Sequence, residues 1–62
     1  MNTYSEQEID NALIAMRRYG GGFESALAEA WIRADRFNRE TLAFAFPDLL
    51  REYVQIAKER GV

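Results

Sequence analysis

Gly20-Gly21-Gly22-Phe23-Glu24-Ser25-Ala26-Leu27-Ala28-Glu29-Ala30-Trp31-Ile32-Arg33-Ala34 carries the pattern on which the fold turns. Phe23, Ala26, Leu27, Ala30, Trp31 and Ala34 stand at i, i+3, i+4, i+7, i+8 and i+11, the full template of an amphipathic helix. The spacing predicts a helix over 23–34 with this stripe turned inward. Phe23 and Trp31 would supply bulk, and the alanines would let a neighbouring helix approach closely. The three glycines are too flexible for a helix interior and too few for an interdomain linker. They are expected to form a turn that folds one helix back on another.

Upstream, Ser5 is followed three residues later by Glu8, the capping-box spacing, and Tyr4 and Ile9 occupy the positions of a hydrophobic staple. Ile9, Ala12, Leu13 and Met16 continue at the helical period, and Arg17 and Arg18 suit a negative helix end. The expected helix is 6–19, with Gly20 as a left-handed cap. Downstream, Asp35 and Asn38 are both good N-caps, so the chain is expected to break at 35–37 and restart as a short helix over 38–46. Leu42, Ala45 and Phe46 would share one side of it. Pro47 disfavours helix at Phe46 and fits the first position of a new one, giving a last helix over 47–60. Leu49, Leu50, Tyr53, Val54, Ile56 and Ala57 would face inward and Gly61 would close the end. A single helix kinked at Pro47 is the alternative. The expected fold is all-α, a compact three- to four-helix bundle forming one domain over 1–62.

A chain of 62 residues buries only roughly 60% of the surface its unfolded form exposes, so its stability is thin. With neither cysteine nor histidine, it cannot draw on disulfides or a zinc site of the usual kind. Eight aromatics in a chain that is 48% hydrophobic leave dense packing, self-association or both as the source of stability. Trp31, in the middle of the best stripe, is expected in the core. The net charge of −2 gives no global attraction to nucleic acid or anionic lipid. No apolar run approaches the ~18 residues of a membrane span, and the opening residues are polar and acidic rather than signal-like, so the expected compartment is the cytoplasm.

The residues that could do chemistry are few. Thr3, Ser5, Ser25 and Thr41 lack any familiar arrangement with an activating base, and Glu6 with Asp10 read as a solvated acidic first turn. The glycine triplet is not followed by Lys-Ser/Thr, so it is not a phosphate loop. No catalytic residue, metal or cofactor is expected. A helix-turn-helix reading rests on Leu27-Ala28-Glu29, the break near Asp35, and the cluster Arg33, Arg36 and Arg39. It is opposed by the missing turn glycine and by Leu42, Phe44 and Phe46, which offer nothing to base edges.

The pattern Gly21-Gly22-Phe23, Ala26-Leu27-Ala28-x-Ala30, Ala34-Asp35, Asn38, Leu42 and Ala45-Phe46-Pro47, covering about 20–53, resembles a group of short phage and prophage proteins without assigned activity. The resemblance implies expression in a bacterial cytoplasm and a binding role rather than catalysis; it brings no site residues with it.

Some apolar residues exceed what one small core absorbs. Phe44 points nearly opposite to Leu42, beside Phe37, while Ile14 and Ile32 lie off the main stripes of their helices. These four, with Arg36, Arg39 and Glu40 around them, form the candidate interface for a protein partner or a second copy, in the aromatic-centre, polar-rim pattern of interfaces. The alternative is that the third helix is sandwiched within one chain, burying both its faces.

Overall fold

The computed structural model describes residues 4–62, so Thr3, weighed above as a nucleophile, lies outside the described residues. Four helices follow one another, α1 (Glu6–Tyr19), α2 (Gly22–Arg33), α3 (Arg36–Ala45) and α4 (Pro47–Arg60), with no strand among the described residues. The capping box at α1 is complete: Ser5 Oγ accepts the Glu8 N–H at 3.1 Å, and the Ser5 N–H donates to Glu8 at 2.9 Å. Tyr4 packs on the core cluster that contains Ile9, as the staple requires. Phe46, at φ −127° and ψ 56°, interrupts the helical backbone, so Pro47 begins a separate helix instead of kinking one.

The bounds of α2 and α3 and one cap differ from expectation, α3 ending at Ala45 rather than at 46. Helix α3 starts two residues early because Asp35, not Asn38, is its N-cap: the Asp35 carboxylate accepts the Asn38 N–H at 2.8 Å. Helix α2 is shifted back by one, since Glu24 reaches the Gly21 N–H at 3.0 Å and draws Gly22 into the first turn. Gly20 is extended, at φ −86° and ψ 168°, not left-handed. Its need for glycine is steric: a Cβ there would lie 2.5 Å from Glu24 Cβ and 2.6 Å from the Met16 carbonyl oxygen. Among the described residues only Gly61, at φ 72°, has positive φ.

The core is built by three of the helices. Ile9, Ala12, Leu13, Ala15 and Met16 come from α1, Ala28 and Trp31 from α2, and Leu50, Tyr53, Val54 and Ala57 from α4. Helix α1 packs along both α2 and α4, whereas the backbone of α3 comes close only to those two and the helix has no buried residue. Trp31 is 1% exposed, in the core as expected.

The α2 stripe is corrected. Phe23, Ala26 and Ala30 are exposed, and the inward side is Ala28 and Trp31 with Leu27 partly buried. An alanine methyl removes little area from water, so a row of alanines does not orient a helix; the large indole does. On α3 the inner side is Leu42, Ala43 and Phe46, with Ala45 exposed. Phe23 keeps one contact, with its ring tilted against Phe46 at 6.1 Å between centroids, which closes the start of α2 on the end of α3.

Candidate protein-interaction surface

Helix α3 is held to the body by a half-buried arginine. Arg39 Nε donates to the Trp31 carbonyl at 3.3 Å, while its two terminal nitrogens reach Glu6 at 3.3 Å and Asp10 at 3.4 Å. One guanidinium thus ties α3 to the C-terminal end of α2 and to two acids of the first turns of α1, Glu6 and Asp10. The Glu6–Asp10 pair therefore serves an ion-pair network. With Asp35 capping the other end of the connection, α3 is fixed on its inner side only.

Its outer side is where the unexplained apolar residues lie. Phe37 and Phe44 are 76% and 84% exposed, and a spacing of seven residues puts them on one face about two turns apart. Glu40 and Thr41 sit between them and are exposed. The Thr41 hydroxyl donates to the Phe37 carbonyl at 3.2 Å, so it is engaged in its own helix. The sandwiched arrangement is therefore not the one adopted: one face of α3 packs inward and the other faces out.

The remaining candidates do not all join this face. Ile32 and Arg36 line a shallow groove of about 620 Å³ together with Tyr4, Glu6, Ala34, Arg39 and Glu40. Ile14 is half exposed on α1, a helix whose backbone makes no contact with that of α3 among the described residues. The arginine cluster is likewise divided. Arg33 pairs with Glu29 at 2.9 Å and Arg39 with Glu6 and Asp10, leaving Arg36 as its one member without an ion pair among the described residues.

Other polar groups are structural. Lys58 pairs with Glu8 at 3.2 Å, joining the end of α4 to the start of α1. The Ser5 N–H and then Lys58 hold the Glu8 carboxyl below the usual glutamate range. Arg33, with Arg17 behind it, does the same for Glu29. Burial, reinforced by Glu24 and Glu52, pushes the Tyr53 hydroxyl up. Among the described residues no three acidic side chains gather as a metal site, and no helix is long and apolar enough to cross a membrane.

Comparison with known protein families, curated proteins and solved structures gave no match. The outer face of α3 is thus judged on its own geometry.

Proposed function

We propose that this chain is a small non-enzymatic helical module that acts by binding another protein through the outer face of α3, with Phe37 and Phe44 as its anchors. The observation that carries the reading is the exposure of these two rings, 76% and 84%, on the helix that contributes nothing to the fully buried core. Aromatic side chains contribute most of the energy at the centres of interfaces, and here they are exposed to water at an energetic penalty. Arg36 and Glu40 would form the polar rim. The Ser5 and Thr41 hydroxyls serve the helices that carry them, the first as a cap and the second as a donor to the Phe37 carbonyl.

The resemblance of 20–53 to short phage proteins agrees with a binding role and would put it in a bacterial cytoplasm. The nucleic-acid alternative has less support, because the carboxylates that hold Arg33 and Arg39 leave little positive surface for phosphates. The test is retention on the immobilised chain, from a bacterial lysate supplemented with a differently tagged copy of the chain. A protein held by the wild type and released by the Phe37→Ser/Phe44→Ser double variant, with helical circular dichroism kept, is the expected result. Equal retention by both chains would sink the reading.

A further inference from the structure

We infer that the occupant of this face is a second copy of the chain, docked antiparallel across a two-fold axis passing between Glu40 and Thr41. The inference rests on the reading of the α3 face as a protein contact and names its partner. Of the exposed residues of α3, Phe37, Glu40, Thr41 and Phe44 lie nearest the centre line of the outer face, and their order is the same from either end: aromatic, polar, polar, aromatic. A two-fold interface demands such self-complementarity, since whatever residue i meets must in turn meet i. Antiparallel pairing about the midpoint sets Phe37 of one copy beside Phe44 of the other, twice, and brings the two Thr41 and the two Glu40 side chains near the axis.

Arg36 and Glu40, four residues apart, lie along one flank of the face, and neither has an ion-pair partner among the described residues. An antiparallel two-fold brings each flank against the same flank of the other copy. The two Glu40 side chains then lie opposite each other near the axis, and Arg36, one turn out on the same flank, reaches towards Glu40 of the other chain and offsets their repulsion. The face is also preorganised: the Asp35 cap and the three-way hold of Arg39 fix α3 before any partner arrives, which lowers the ordering entropy of docking.

The area sets the strength. Aromatic side chains bury roughly 150–250 Å² each, so covering the exposed parts of Phe37 and Phe44 removes roughly 250–400 Å² per copy. Doubled and extended by Arg36, Glu40 and Thr41, this stays below the roughly 1,200–2,000 Å² of stable complexes. The chain itself exposes 4297 Å², close to the roughly 4,100 Å² that scaling gives a folded monomer of 7.2 kDa. The contact is therefore of the weak, reversible kind.

Sedimentation equilibrium of the full chain from about 10 µM to about 1 mM brackets the dissociation constants such an area gives. The expected result is a mass rising from 7.2 kDa towards twice that value. The Phe37→Ser/Phe44→Ser chain stays monomeric over this range with helical circular dichroism, and Phe44→Ser alone weakens dimerisation by about tenfold or more. Because the chain has no cysteine, Thr41→Cys carries a unique thiol beside the axis: a short bismaleimide should join it to its mate, but not a Gln55→Cys chain on α4. A wild type that remains monomeric at the highest concentration overturns the second copy as occupant, while the lysate retention test still decides the α3 face. A dimer that survives the double serine variant overturns both. A dimer that crosslinks at residue 55 as readily as at residue 41 overturns the antiparallel arrangement.

Discussion

Arg39 donates to the main-chain carbonyl of Trp31 at 3.3 Å, so the helix that adds no residue to the buried core is fastened to the backbone of the largest side chain in it. The two ion pairs that complete the hold involve well-exposed carboxylates and are individually weak. The bond to a carbonyl at a helix C-terminus is the stronger part. Arg39→Met, which keeps the aliphatic stem, should lower stability by about 1–2 kcal/mol and speed amide exchange in α3 more than in α1 or α4. Urea unfolding with exchange read by mass spectrometry tests this. An unchanged midpoint together with unchanged α3 exchange would show that the contact holds nothing.

Trp31 itself is the test of the core. Truncating a fully buried indole leaves a cavity in the core cluster, and Trp31→Ala should cost roughly 3–5 kcal/mol, enough to unfold a domain of this size. Circular dichroism melting will show it. A variant that melts like the wild type would place the indole outside the core.

Gly20 and Gly22 should respond in opposite directions to the same substitution. A Cβ at Gly20 would stand 2.5 Å from Glu24 Cβ and 2.6 Å from the Met16 carbonyl oxygen, whereas one at Gly22 meets nothing within 4 Å. Gly20→Ala is expected to destabilise by about 1–3 kcal/mol through overpacking of the α1–α2 turn. Gly22→Ala, at the start of α2, should stabilise by about 0.4–1 kcal/mol by restricting the unfolded chain. Thermal melts of the two variants decide the point, and a stabilised Gly20→Ala would mean that the turn has room to relax.

The acid limb of stability should report Glu8. Its carboxyl is held below the ordinary value of 4.5 by the Ser5 N–H and by Lys58. The folded state therefore binds this proton less readily than the unfolded chain, and the contribution is present above pH 4.5 and is lost as pH falls through the lower folded value. Glu8→Gln should flatten the fall in urea midpoint below pH 4.5, and Lys58→Met should flatten it in part. Identical acid profiles for wild type and Glu8→Gln would rule the coupling out.

These predictions sort what is legible in the chain from what is not. Starts and stops are local chemistry, so Ser5 with Glu8, Pro47 and Gly61 give the ends of α1 and α4 from sequence alone. The rotation of α2 is not local. Ala26, Ala28 and Ala30 differ little in hydrophobicity, and only packing against α1 makes Ala28 the buried one. The Glu6–Asp10 spacing is visible, but the residue that needs it lies 29 and 33 positions away. The outward placement of Phe37 and Phe44 is legible because an i, i+7 pair opposite Leu42 has only one direction to point. Gly20 misled because glycine next to a helix end suggests positive φ, when close approach of Glu24 and Met16 was the real constraint.

Phe44 and Phe46 stand two residues apart on the same short stretch, and their substitution should separate the two faces of α3. Phe46 lies against the core cluster and its ring meets Phe23, so Phe46→Ser loses packing on both and puts a hydroxyl where no partner waits. Phe44, at 84% exposure, makes so few contacts within the chain that Phe44→Ser should change the stability of the monomer by less than about 0.5 kcal/mol. The Phe46 variant should lose about 2–3 kcal/mol, less than for a fully enclosed ring because Phe46 is only partly buried. Urea unfolding at low micromolar concentration, where association contributes little, gives both values. Equal losses at the two positions would mean that Phe44 packs within its own chain after all, and the outer face of α3 would then be part of the fold rather than a surface for a partner.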